Sequence, residues 1–188
     1  MRIFKMAFAG LVLAASMASA SAASAADYIT IKLKDGPVVI ELATKEAPKH
    51  AGRIKQLAEK GAYDNVVFHR VIEGFMAQTG DVKFGNAESG YDPQRAGTGG
   101  SDMADLPAEF SSVPFERGTV GMARSADPNS ANSQFFIMFA PGDFLNGQYT
   151  VVGKVVSGME AVDKIKRGEG SNGEVSNPDR MIKVSVGK

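Results

Sequence analysis

Arg70, Gln78, Gln134, Phe136 and Met138 are where chemistry could begin in this chain, because strand alternation places them on surfaces of mixed character. In Gln134-Phe135-Phe136-Ile137-Met138-Phe139, one face carries Phe135, Ile137 and Phe139; the other carries Gln134, Phe136 and Met138. A half-buried strand is polar on its second face, and this one is not. Met76 and Gln78 share a face, and Arg70 lies on the face of Phe68 and Ile72. A second surface therefore mixes Arg, Gln, Met and Phe. Large apolar groups beside a few polar ones describe a ligand groove. The pattern admits another reading and slightly favours it: the second face packs under a helix or a long loop.

Other chemistries find little support. The only histidines are His50 and His69, and their spacing suits no metal, so no metal site is expected. His50 falls on a predicted helix and is expected to face solvent. His69 falls in a strand and is expected to be a satisfied core group. A hydrolytic triad around His69 lacks a Gly-x-Ser-x-Gly elbow. Gly97-Thr98-Gly99-Gly100 and Gly153-Lys154 lack the ending and the helix of a phosphate loop. Cysteine is absent, which excludes disulfides, thiol catalysis and lipid attachment through cysteine. No carboxylate pair follows from spacing.

The elements that must position these residues are mostly short strands. Residues 28–42 read as a hairpin turning at Asp35-Gly36. Residues 46–60 read as a helix, with Pro48 in its first turn, an Ile54, Leu57 and Ala58 stripe, and Gly61 as the stop. Residues 66–72 and 75–80 read as strands parted by Gly74. Residues 82–106 lack a period and read as a long surface loop. Strands follow at 119–123, 134–139 and 150–156, then a helix over 159–166. Ile182, Val184 and Val186 mark a closing strand over 181–186. This pattern predicts an antiparallel barrel or sandwich with helices over its ends.

The 188 residues suit one domain. Equal numbers of basic and acidic residues, 21 each, give no electrostatic reason to expect nucleic acid or an anionic membrane as partner. Residues 1–26 differ from the rest. Arg2 and Lys5 precede an apolar run from Met6 to Met17, and Ala-x-Ala patterns follow. That is the layout of a secretory signal peptide, too short for a membrane span. Cleavage is expected near Ala25 or Ala26, leaving residues 27–188 as a domain outside the cytoplasm, periplasmic or secreted, and off the membrane.

The stretch Phe68-His69-Arg70-Val71-Ile72-Glu73-Gly74-Phe75-Met76-Ala77-Gln78-Thr79-Gly80-Asp81 closely resembles the cyclophilin signature. Further matches follow in order: Gly97-Thr98-Gly99-Gly100, Gly121-Met122-Ala123, Asn132-Ser133-Gln134-Phe135-Phe136-Ile137, Phe144-Leu145-Asn146-Gly147 and Val151-Val152-Gly153-Lys154-Val155. The resemblance implies a mainly β fold, an eight-stranded antiparallel closed β-barrel capped by two α-helices. It implies a peptidyl-prolyl cis/trans isomerase that needs no cofactor and acts on proline-containing unfolded or flexible polypeptides. A non-catalytic proline-binding module on the same barrel is the alternative. Arg70 matches the family's catalytic arginine, with Gln78 beside it. Phe75, Met76, Phe136 and Leu145 match the proline-ring pocket. Gln78, Ala123, Arg124 and Gln134 match positions that contact substrate backbone or flanking residues, and Gly97 matches a neighbouring subsite. Phe144 stands where tryptophan is common and Tyr149 where histidine is frequent, so weak cyclosporin binding is expected. Glu73 replaces a common proline and Arg124 a common asparagine. The stretch Val82 to Ala96 is longer than in compact members. A monomer is expected.

Overall fold

Apolar alternation produces strands close to where the spacing predicts them. The structure, a computed structural model, describes residues 27–187; the signal-peptide reading of residues 1–26 lies outside them. Along the chain run β1 (Tyr28–Leu33), β2 (Gly36–Leu42), α1 (Pro48–Glu59), β3 (Val66–Val67), β4 (Arg70–Ile72), β5 (Met76–Thr79) and β6 (Thr119–Met122). After them come β7 (Phe135–Met138), a 3-10 turn at Asp143–Leu145, β8 (Val151–Ser157), α2 (Met159–Val162), β9 (Arg180–Met181) and β10 (Lys183–Val186). Eight strands form one antiparallel sheet in the order β10-β1-β2-β8-β6-β7-β5-β4. The fold is mainly β with two helices.

Three expectations need correction. The predicted strand over 66–72 breaks at Phe68-His69, because β3 pairs with β9 while β4 pairs with β5. The predicted strand over 181–186 breaks at Ile182 for the same reason: β9 serves β3, and β10 serves β1. Met181 and Val184 are buried there, while Val186 is exposed. The helix predicted over 159–166 stops at Val162. The amides of Lys164 and Ile165 bond three residues back, to Ala161 and Val162, so the chain tightens into turns. In the strand order β4 and β10 are the outer strands of the eight-stranded sheet, and β3 and β9 form a separate two-stranded sheet.

Helix α1 starts without a capping side chain, since its N-cap is Ala47. Glu109, from the loop before β6, does that work. Its carboxylate accepts the Lys49 and His50 amides, each at 3.1 Å, and its Oε2 lies 2.7 Å from His50 Nδ1. His50 is therefore 0% exposed, not solvated as the sequence suggested. It lies one turn before Ile54 and shares its buried stripe. Burial of Glu109 opposes its charge, but the His50 side chain and the two backbone N–H groups outweigh this and hold the carboxyl below its ordinary value. A depressed carboxyl contributes stability above its unfolded pKa and loses it as pH falls through the folded one. Glu109→Gln should cost about 1–2 kcal/mol in urea melts at neutral pH. That difference should shrink as pH falls to about 3. A difference of constant size across this range would remove the charged cap from the account.

Two apolar layers share the sheet. Val71, Ala77, Ile137 and Val120 lie opposite one another across β4, β5, β7 and β6, facing the main core. The alternate residues Met76, Phe136 and Met138 join Phe115, Leu145 and Val151 in a second cluster. The second face is partly covered, as one sequence reading expected, but not by an α-helix or the 82–106 loop. It packs beneath the 113–115 and 145–151 segments, and its uncovered portion forms a groove.

Candidate active site

Register builds the site. Arg70 on β4 lies opposite Gln78 on β5, Gln78 opposite Phe136 on β7, and Phe136 opposite Gly121 on β6. Directly opposed residues share a sheet face, so four strands deliver these residues to one surface in one row. Gly121 is required there: a Cβ at that position would lie 2.4 Å from Phe136 Cζ and 2.6 Å from Phe115 Cε1. Without a side chain at Gly121, Phe136 can stack on Phe115, with ring centroids 5.8 Å apart.

A cavity of about 450 Å³ opens over this row. Arg70, Phe75, Met76, Gln78, Ala123, Arg124, Phe136, Phe144, Leu145 and Tyr149 all line it, so ten of the sequence-derived site residues converge. Gly97 and Gln134 line an adjoining cavity of about 370 Å³ that shares Gln78, Ala123 and Arg124 with the first. The floor is buried Met76, Phe136 and Leu145. Phe144 stands on the rim, 70% exposed, its ring 5.5 Å from that of Phe75. Tyr149 meets Phe136 edge-on at 5.9 Å. A groove of about 510 Å³ along β2 and β8 is lined instead by Glu41, Lys45, Glu46, Glu116 and Lys154 among others, and has no aromatic floor.

The polar side of the site is a chain of hydrogen bonds. Arg70 Nε donates to the Asn172 carbonyl at 2.9 Å, and Nη1 donates to Gln78 Oε1 at 3.3 Å. Gln78 Nε2 donates to Gln134 Oε1 at 3.0 Å. Gln134 Nε2 in turn donates to the carbonyls of Gly97 and Gly99 at 3.0 and 2.8 Å. The guanidinium is thus held at two points, while its Nη2 makes no hydrogen bond within the described residues. Arg124 behaves differently. Its guanidinium donates to the carbonyls of Ser125 and Gln148 and lies 4.2 Å from the Tyr149 ring centroid, so it braces the wall.

Sequence reasoning missed Asp81 and Asn172. Asp81 is fully buried, and its Oδ2 accepts the amides of Gly97 and Gly99 at 2.8 and 2.9 Å. It pins the loop that carries Gly97. A signal existed, since an Asp closing a strand before a Gly-rich loop suits backbone capping. Asn172 acts through its carbonyl, which no residue type announces. His69 is buried as expected but not satisfied: neither ring nitrogen has a partner. Burial pushes its pKa down to about 4, against the pull of Asp81, so the ring is neutral at ordinary pH.

The comparisons agree with this geometry. Residues 28–186 match the family model described as "Cyclophilin type peptidyl-prolyl cis-trans isomerase/CLD". The chain is 66% identical over 169 residues to the "Probable peptidyl-prolyl cis-trans isomerase" of Brucella suis biovar 1, covering 89% of this chain and 86% of that one. It superposes on a cyclophilin type peptidyl-prolyl cis-trans isomerase of Cryptosporidium parvum, crystallised in the presence of the dipeptide Ala-Pro. The TM-score is 0.73 at 25% identity, over 86% of this chain and 99% of that one. Cyclophilin AquaCyp293 from Hirschia baltica superposes with a TM-score of 0.69 at 25% identity, over 84% of this chain and 72% of that one. With a matching family model across nearly all the described residues, the chain belongs to the cyclophilin-type peptidyl-prolyl cis-trans isomerases and is an isomerase enzyme.

Proposed function

We propose that the 450 Å³ cavity is where this isomerase turns an Xaa-Pro bond, with Arg70 as the catalytic group. The observation that carries this reading is a guanidinium tethered at two points, with Nη2 left over, beside a floor of Met76, Phe136 and Leu145. Rotation about an amide meets a barrier of about 18–20 kcal/mol from C–N double-bond character. Before proline the two isomers differ by only about 0.5–1 kcal/mol, and exchange takes tens to hundreds of seconds. No covalent bond forms or breaks. The task is to bind the half-rotated peptide better than either planar form.

The residues suit that task. Phe75, Met76, Phe136 and Leu145 bury the pyrrolidine ring. Arg70 donates to the prolyl nitrogen as its lone pair localises on twisting, and to the neighbouring carbonyl. Gln78 and Gln134 hold Arg70 and position the Gly97 loop, and Ala123, Arg124, Phe144 and Tyr149 wall the flanking residues. The polypeptide enters as an unfolded or flexible chain; the Cryptosporidium relative was itself crystallised in the presence of the dipeptide Ala-Pro. The rim phenyl of Phe144 has no indole N–H, which favours weak cyclosporin binding.

The architecture we infer is a barrel closed through β3 and β9. They run into the outer strands β4 and β10, and their mutual pairing brings the two edges together. The signal-like pattern of residues 1–26 supports export, with a monomer serving exported clients. N-terminal sequencing of the cell-envelope fraction should find chains beginning at Ala26 or Asp27; full-length protein confined to the cytosol would end the export reading. The activity itself is read by NMR exchange on a short Ala-Pro peptide. Catalytic amounts of the domain should collapse separate cis and trans signals into exchange-broadened lines. Peptide binding without faster exchange would leave a proline-binding module instead.

A further inference from the structure

Beside Arg70, on the side away from the ring pocket, lies a cleft of about 620 Å³ whose lining includes His69, Tyr91, Thr98, Glu169, Asn172 and Glu174. Two single-residue bridges create it. Glu174 lies antiparallel opposite Arg70, and Glu169 lies antiparallel opposite Glu174. The row that runs from Phe136 through Gln78 to Arg70 therefore continues across the 169–174 turn, and opposed residues share its face. It passes from an apolar ring, through an amide and a guanidinium, to two carboxylates.

Those carboxylates are unpaired. Glu174 accepts a hydrogen bond from Asn172 Nδ2 at 3.2 Å, and neither glutamate joins an ion pair among the described residues. Arg70 forms no ion pair with either of them; its Nε and Nη1 go to the neutral oxygens of Asn172 and Gln78. Like charges directly opposite on a ladder destabilise it. The backbone nevertheless holds this turn tightly: a Cβ on Gly168 would lie 2.0 Å from the Gly173 carbonyl oxygen. A second observation is independent of the acidic pair. His69, only 8% exposed and lining the cleft, keeps both ring nitrogens without a partner. Tyr91, from the long 82–96 stretch, adds an aromatic ring to the wall. An aliphatic stem with a cationic tip suits such a wall and such an end.

We propose that this cleft is a substrate subsite for a lysine or arginine side chain within a few positions of the target proline, its cation seated between Glu169 and Glu174. The inference rests on the reading of Arg70 and its row as the active surface. It makes the enzyme selective for basic flanking sequence, with the long 82–96 stretch as one wall of a specificity groove.

The test is kcat/KM on a peptide series in which one lysine is moved through each position either side of a single Ala-Pro bond, with an all-alanine and a glutamate series alongside. An exposed ion pair gives a few-fold effect. Lysine at one or two neighbouring positions should raise kcat/KM about threefold over alanine, and glutamate there should lower it. The preference should fade at about 1 M salt. In the E169Q/E174Q double variant the lysine-to-alanine ratio should fall to about one, and in E169K the glutamate series should become the better one. Both glutamates are exposed, and glutamine keeps the acceptor that Asn172 uses, so the double variant retains the turn. Equal turnover of lysine and alanine peptides at every position, or a preference that survives the double variant, overturns the subsite. Failure of the wild type to turn over even the alanine peptide overturns the active-surface reading itself, and the subsite falls with it.

Discussion

Arg70→Ala should lower kcat/KM on a short Ala-Pro peptide by about a hundredfold to a thousandfold, the usual loss when one preorganised donor to a transition state is removed. The effect should fall mainly on kcat. The ring pocket of Phe75, Met76, Phe136 and Leu145 does not depend on the guanidinium, so ground-state binding survives. Stability should change little, because Arg70 is only half-buried and water can replace it at the Gln78 oxygen and the Asn172 carbonyl. Arg70→Lys separates charge from shape. Lysine restores the positive charge, but its three donors sit on one nitrogen and cannot span both anchors and the substrate as the planar fork does, so its rate should lie nearer to alanine than to wild type. A variant that keeps half the wild-type kcat/KM with alanine at position 70 would show that the pocket alone does the work.

The members of the row that makes Arg70 matter could be named from the sequence. Arg70, Gln78 and Phe136 each sit at alternate positions from apolar neighbours, and the signature stretch fixed their company. What the sequence could not provide was register. Nothing in the spacing says that Gln78 stands opposite both Arg70 and Phe136, or that Gly121 lies under the Phe136 ring. Strands failed where one run of residues serves two partners, as at Phe68-His69 and Ile182, because alternation is a property of one face and not of a chain changing sheets. His50 was misread because its type suggested solvent while its place on the Ile54 stripe indicated burial. The irregular segments were opaque for a different reason. Asn172 works through its carbonyl, and Glu169 and Glu174 lie in the same turn, which has no periodicity and which only the fold brings beside β4.

The largest loss of stability at the site should come from Asp81→Asn, at about 2–4 kcal/mol. Each carboxylate oxygen accepts two backbone amides: Lys83 and Phe84 at 3.0 and 2.9 Å on Oδ1, Gly97 and Gly99 at 2.8 and 2.9 Å on Oδ2. Asparagine fits the same space but replaces one oxygen with a donor, so two partly buried N–H groups face an NH₂ and lose their acceptor. An unsatisfied buried polar group costs about 1–3 kcal/mol. A drop of several degrees in the thermal midpoint follows for a domain of this size. The damage should not stay local. Asp81 holds the N–H groups of Gly97 and Gly99, while Gln134 holds their carbonyls from the other side. Gly97 also sits at φ +95°, where a Cβ would lie 3.0 Å from His69 Nε2, so few conformations other than the pinned one are open to it. Releasing the amide side should free the loop and, through Gln134 and Gln78, loosen the Nη1 anchor of Arg70. Hydrogen exchange at Gly97 and Gly99 should rise sharply, and kcat/KM should fall about tenfold even below the melting transition. If exchange at those amides stays slow while the midpoint drops, Asp81 stabilises the fold without organising the loop, and the polar chain from Asp81 to Arg70 is broken at its first link.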